Sequence, residues 1–503
     1  MQKSILIVGG GTAGWLSAAI IAAHHKNRPD GQLKISLVEA ADIPTVGVGE
    51  GTWPTLRNTI RSIGIDEKTL FKTCFAGFKQ GAKFVNWASN DDFYYHPFTV
   101  PLGYGNIDLA PYLDDVASFA KESNYQEAVC QAGLAPRAPT EGEYQGICNY
   151  AYHLDAGALG DLLKNYCRDE LGVEHIIGTV RDVQLSEDGG IAGLSLENDG
   201  KAFELCADLF VDCTGFRSLL LGKALGVKYK SVDDILFNDR ALALRIPYEN
   251  EHDPIACHTI AEGQNAGWIW DIGLTNRRGV GHVFASDYLS EDEAMHNLQN
   301  YVGRSIADLD VNKISFSAGH REVGWKKNCV AVGLATGFVE PLEATAIMLV
   351  EVVARYVAEN LFSDEAAMEV VSKRFNQQMD YRWQRIVDFL KLHYMLTKRE
   401  EPYWKAHTNP DTIPETLQED LVIWQNRGPI KSDFDGVAEL FPAASYQYVL
   451  YGMGFKPNFS EQSYLYDQQQ QANRIIEKNR TVTQQLLRDL PPHRNYINHW
   501  LSA

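Results

Sequence analysis

Apolar and polar positions follow two different rhythms along this chain, and the first change of rhythm comes within twenty residues. Residues 4 to 8 form a short apolar run of β type, the next six are dominated by glycine, and an alanine-rich pattern of helical spacing then runs to about residue 23. After the turn signal at 27 to 31, Leu33, Ile35 and Leu37 alternate as a second strand that ends at Glu39. Much later, residues 329 to 332 predict a buried strand, 333 to 342 a loop, and 345 to 361 a helix of apolar spacing. DLFVDCTGF (208 to 216) reads as one more strand of the same layer, residues from about 225 to 320 are strand-rich, and 361 to 503 are largely helical with polar turns. Within the strand-rich part lies GWIWDIGL (267 to 274), where Trp268 and Trp270 are two apart and so project from one face of a strand. Two indoles on one face either fill a core or wall something off.

The glycine segment carries the first chemistry. Gly9, Gly11 and Gly14 stand in the GxGxxG spacing between a strand and a helix, the context in which such a loop lets backbone approach a pyrophosphate at a helix N-terminus. Thr12 and Ala13 open that helix, and Glu39, at the end of the next strand, is placed to accept hydrogen bonds from a ribose. A lysine followed by a long apolar stretch also resembles a signal peptide, but three consecutive glycines would interrupt its helix. The late strand–loop–helix is a feature of flavin monooxygenase-like proteins and favours FAD over NAD. The expected fold is therefore α/β: a Rossmann-like FAD-binding domain made discontinuously from 1–90, about 151–224 and 320–360, an inserted β-rich substrate module from 91–150 and 225–319, and a helical C-terminal region, 361–503.

Composition narrows the partners. Of 503 residues 46 are Lys or Arg and 65 Asp or Glu, a formal charge of −19 that disfavours nucleic acid and anionic membrane surfaces. No apolar run reaches the ~20 residues needed to span a bilayer. The eight cysteines show neither CxxC nor Cys/His ligand spacing, so neither a zinc site nor a disulfide framework is signalled and a reducing cytoplasm is expected.

Nine further stretches carry a resemblance: GGGTAGW (9–15), VGVGEGTWP (46–54), FKQGAKFVNW (78–87), YYHPF (94–98), YAYHLDA (150–156), DCTGFRS (212–218), GWIWDI (267–272), GFVEPLEATA (337–346) and FLKLHY (389–394). Over most of its length the chain resembles the flavin-dependent halogenases of the tryptophan halogenase type. The resemblance implies that Lys79 receives hypohalous acid made at the flavin, that Glu343 takes the ring proton, with Glu340 as its rival, and that Thr345 and Ala346 hold bromide or chloride through backbone amides. It also implies FAD contacts from Gly49, Glu50, Val180, Leu334 and Ile347, a substrate pocket lined by His96, Pro97 and Phe98, and a flavin passage walled by Trp268 and Trp270. A surface lysine and helix-terminal acids are the plain alternatives for Lys79 and for Glu343 or Glu340.

Reduced FAD would come from a separate NAD(P)H-dependent flavin reductase, since no second dinucleotide fingerprint occurs, and a homodimer is compatible with the family. The chain departs from the family pattern at Gly273, where proline is expected, and at Ala344 and Ala346, where serine and glycine are common. It also lacks the adjacent tyrosine pair of tryptophan-specific members, offering Tyr446, Tyr448 and Tyr451 instead. Indole, tryptophan and phenols are all candidate substrates. The competing readings are a flavin monooxygenase that acts directly on its substrate and a non-catalytic flavin-binding scaffold.

Overall fold

The structure, a computed structural model, describes residues 3–29, 32–41, 49–362 and 364–502. The chain parts into two compact units, each assembled from three segments. One comprises Met1–Phe75, Leu154–Ser231 and Ala318–Trp383; the other comprises Ala76–His153, Val232–Ser317 and Gln384–Ala503. The borders differ from the sequence expectation at several points, and residues 225–231 and 364–383, for example, belong to the first unit. Residues 76–90 fall in the second unit, because the strand Gly77–Lys79 pairs with Ala151–Leu154 and the strand Gly81–Val85 joins the large sheet described below. The helical residues after Trp383 cluster with that unit instead of standing apart.

The first unit is built on a six-stranded sheet, in which Lys3–Val8 is flanked by Leu33–Glu39 on one side and Leu209–Asp212 on the other, all parallel. Cys329–Ala331 extends the sheet beyond Leu209–Asp212, and Glu174–Ile177 extends it beyond Leu33–Glu39. Parallel strands buried on both faces call for continuous apolar runs, and Ile5, Leu6, Ile7 and Val8 are all buried. The helices Thr12–His24 and Thr345–Glu359 begin within a residue or two of where the sequence pattern places them.

The second unit holds a seven-stranded sheet, in the order Val311–Ser315, Arg240–Pro247, Arg277–Phe284, Trp268–Gly273, Thr259–Gly263, Gly81–Val85 and Phe93–Pro97. Every neighbour is antiparallel except Thr259–Gly263 against Gly81–Val85. Helices from the C-terminal segment contribute Phe389, Tyr394 and Trp404 to its core, each less than 1% exposed. Among the described residues no helix is long and apolar enough to cross a membrane.

Candidate active site

The glycine loop sorts its residues by what a side chain would meet. A Cβ on Gly14 would overlap the carbonyl oxygen of Gly9, and one on Gly9, whose φ is 116°, would overlap that of Cys213. These two glycines let the strand end, the helix and the neighbouring strand pack backbone to backbone. Gly11 is different: its Cβ would meet nothing within 4 Å, and it stands at the N-cap of Thr12–His24 with no side chain capping the helix. An uncapped helix start beside open space is an anion cradle, and it fits the pyrophosphate of FAD.

Glu39 lies against Gly10, with its Oε1 accepting from Lys164 Nζ at 2.7 Å and from His175 Nε2 at 2.8 Å. Burial lowers the pKa of His175. The Thr12 hydroxyl is occupied locally, donating to the Ala156 carbonyl at 2.9 Å.

Other expected contacts gather in the same unit. A Cβ on Gly333 would sit 2.9 Å from that of Ala13, so the turn Gly333–Ala335 bearing Leu334 packs on the first helix. Ile347 is buried in Thr345–Glu359. Val180 lies in Thr179–Leu185 opposite Leu196 and packs against the cluster of Val8, Val38 and Ala335. Gly49 has φ 128°, which favours glycine, and Glu50 opens the two-residue strand Glu50–Gly51. Residues 46–48 of VGVGEGTWP lie outside the described residues.

At the second helix start, Ala344 occupies the N-cap with φ 54° and ψ 42°, a left-handed conformation unusual for alanine, and no side chain caps the helix. Thr345 is buried and Ala346 exposed in the first turn. Glu343 and Glu340 are both buried, so burial does not separate the two rivals. One positioning group was not singled out from the sequence: Trp53 Nε1 donates to the Glu343 carbonyl at 2.7 Å. Its only sequence signal was membership of the 46–54 motif. Glu351, one face of the same helix further on, accepts from Thr55 at 2.9 Å and from Thr59, and burial pushes its carboxyl up to about 7.

In the second unit Lys79 is only 3% exposed, which removes the surface-lysine alternative. It closes the strand Gly77–Lys79 opposite Ala151, and its ammonium lies over the Phe98 ring, 5.2 Å from the centroid. His153, two residues along the partner strand, is fully buried, and its Nε2 meets Thr259 Oγ1 at 2.9 Å. Burial, then the charges of Lys79, His258 and His493, hold its pKa well below the ordinary histidine value, so it stands as a neutral imidazole. His96 Nε2 meets Ser445 Oγ at 2.9 Å, and Pro97 ends its strand beside Phe98.

Trp268 and Trp270 are both buried, with ring centroids 6.3 Å apart. Trp268 joins Trp87 in the aromatic core. Trp270 lies across Gly281 of the adjacent strand, where any Cβ would fall inside the indole. Gly273, where the resemblance leads one to expect proline, is a close approach: its Cβ would be 2.7 Å from Ile255 Cγ2 and 3.0 Å from the Ala256 nitrogen. Two of the three C-terminal tyrosines, Tyr446 and Tyr448, are committed to other partners. Tyr446 accepts from Arg385 at 3.1 Å, and Tyr448 donates to the Thr99 carbonyl at 3.0 Å.

Comparison with known proteins gives one consistent answer. Residues 4–468 match the family model described as tryptophan halogenase. The 7-chloro-L-tryptophan 6-halogenase KtzR of Kutzneria sp. (strain 744) is 34% identical over 521 residues, covering 98% of each chain. Among solved structures, a tryptophan halogenase from Shewanella frigidimarina NCIMB 400 is 40% identical with a TM-score of 0.93, covering 100% of this chain and 98% of its own. Tar14, a tryptophan C-6 flavin-dependent halogenase from taromycin biosynthesis, is 34% identical with a TM-score of 0.92 and full coverage of both chains. Matched over residues 4–468 by the family model and along nearly its whole length by these relatives, this chain belongs to the flavin-dependent tryptophan halogenase family.

Proposed function

We propose that the protein halogenates an electron-rich aromatic, using reduced FAD, oxygen and bromide or chloride, with hypohalous acid delivered to Lys79. The observation that carries this reading is Lys79 itself, buried with its ammonium over the Phe98 ring where a lysine would ordinarily be exposed. Gly9, Gly11, Thr12, Ala13, Gly14 and Glu39 would hold FAD, with Gly49, Glu50, Val180, Leu334 and Ile347 completing its surroundings. Bound there in its reduced form, it would activate oxygen, which supplies the oxidising equivalents for halide.

The chain's own residues do the rest. The first N–H groups of Thr345–Glu359, at Thr345 and Ala346, hold the halide. Lys79 fixes hypohalous acid by hydrogen bonding as an ammonium, or traps it as a haloamine through its neutral amine. Electrophilic attack then puts positive charge on the ring, and Glu343 removes the leaving proton. His96, Pro97 and Phe98 line the substrate pocket, while Trp268 and Trp270 keep the organic substrate from the flavin. A separate NAD(P)H-dependent reductase supplies reduced flavin.

Commitment of Tyr446 and Tyr448 to Arg385 and Thr99 favours a substrate that needs no amino-acid clamp there, so bare indole or a phenol stands beside tryptophan. Ala344 and Ala346 alter the halide cradle, and bromide sheds its water at lower cost than chloride, so equal concentrations should give mainly brominated product. Predominance of chlorinated product would remove that preference.

The test incubates the protein with FAD, a flavin reductase, NADH, bromide, and indole, tryptophan or phenol in turn, followed by mass spectrometry. A gain of one bromine in place of hydrogen supports the reading. Oxygen insertion without bromine would identify a monooxygenase acting directly, and no change in any substrate would overturn the proposal.

A further inference from the structure

The second unit brings a pair of ligand residues adjacent in the chain against a third that lies 127 residues away. Cys130 belongs to the short helix Gln126–Gln131, whereas Cys257 and His258 lie just before the strand Thr259–Gly263. The two sulfurs and the imidazole nitrogen all lie within 4.8 Å of one another, the one such group of three among the described residues. Cys257 Sγ is 3.8 Å from His258 Nδ1, and the Cys257 thiol donates to the Cys130 backbone carbonyl at 3.7 Å. All three residues are buried, and Tyr95 packs edge-on to His258 with centroids 5.4 Å apart.

Buried cysteines are common core residues, so burial alone assigns nothing. The spacing is more informative. With Zn–S of about 2.3 Å and Zn–N of about 2.0–2.1 Å, two ligands on one tetrahedral ion stand roughly 3.5–3.8 Å apart, which matches the Cys257–His258 separation. Two sulfurs and one imidazole, with no carboxylate in the set, select zinc(II) or copper(I) over magnesium or calcium.

We propose that Cys130, Cys257 and His258 form a binding site for a thiophilic d10 cation, zinc(II) being the ion the spacing fits. On binding, the ion replaces the two thiol protons, which pass to solvent, and no electron is transferred. The site anchors the segment that backs the catalytic lysine. Gln80, next to Lys79, donates its N–H to the Cys257 carbonyl at 2.7 Å, and His493 Nδ1 donates to the Ile255 carbonyl at 3.0 Å. Gly273 packs beneath Ile255 and Ala256.

The experiment uses full-length protein stripped with a chelator and titrated anaerobically with cobalt(II). One equivalent should produce a near-ultraviolet thiolate-to-cobalt charge-transfer band, and one equivalent of zinc(II) should bleach it. The double variant Cys130→Ser/Cys257→Ser should lose the band, while Cys206→Ser, at an exposed cysteine, should keep it. Should the double variant fail to fold, His258→Gln leaves both sulfurs and should weaken zinc binding more than about tenfold. The proposal is overturned by absence of the band, by an undiminished band in the double variant, by its loss in Cys206→Ser, by unchanged zinc affinity in His258→Gln, or by a Cys130–Cys257 disulfide in freshly isolated protein.

Discussion

The glycine loop of the first unit and the tryptophan strand of the second both depend on missing Cβ atoms, but for different neighbours. At Gly9 and Gly14 the space goes to backbone carbonyls, and at Gly11 it stays open. At Gly281 it goes to the six-membered ring of Trp270, and at Gly273 to the 255–256 segment. The first arrangement leaves open space at a helix start; the second fills space with an indole. Glycine in a strand is thus ambiguous from sequence, since close approach by ligand, backbone or side chain all demand it.

The largest effect that would sharpen this comparison is at Lys79. Lys79→Ala should bring organic halogenation to background while flavin reoxidation continues, because the oxidant is still made but has no fixed station. Glu343→Gln should slow product formation by about a hundredfold, the scale of one general base. Full halogenation in Lys79→Ala would break the assignment of Lys79 as the station of the oxidant.

Next come the two kinds of glycine in the loop. Gly11→Trp should fold with an unchanged melting temperature and lose FAD binding by fluorescence titration, since its side chain enters open space. Gly14→Ala should instead lower the melting temperature, because its methyl overlaps the Gly9 carbonyl. The opposite pattern would show that the open side of Gly11 is not the nucleotide cradle.

The units should also respond to pH with opposite sign. Burial raises Glu351 in the first unit to about 7 from 4.5. Its contribution to stability is fully present below 4.5 and lost as pH rises through 7. Burial lowers His282 in the second unit to about 4 from 6.5, so its contribution is present above 6.5 and lost as pH falls through 4. Each shift corresponds to on the order of 3 kcal/mol. Denaturant midpoints across pH should flatten between 4.5 and 7 in Glu351→Gln, and between 4 and 6.5 in His282→Gln. Unchanged profiles would mean that neither group is buried as described.

The smallest effect is Gly281→Ala. Its methyl must displace the Trp270 indole, and overpacking of this kind costs about 1–3 kcal/mol. A stability equal to the parent would show that the indole moves freely.

The sequence by itself determined what local periodicity encodes. The strand Lys3–Val8, the glycine turn, the helix Thr12–His24 and the strand Leu33–Glu39 span fewer than forty residues, and backbone conformation with apolar spacing fixes them without distant partners. Family motifs carried Lys79, Glu343 and the two tryptophans in the same way. Only tertiary structure decided which far segments meet. Residues 76–90 joined the second unit because their strands pair with 151–153, 259–262 and 93–97, a choice no local pattern announces. The bond from Trp53 to the Glu343 carbonyl spans 290 residues, and Cys257 approaches Cys130 across 127. Such contacts form when packed sheets and helices close long loops, and the cost of closing a loop rises only slowly with its length. Chain separation therefore says little about which side chains will touch, and ligand spacing along the sequence could not reveal a cluster assembled in space.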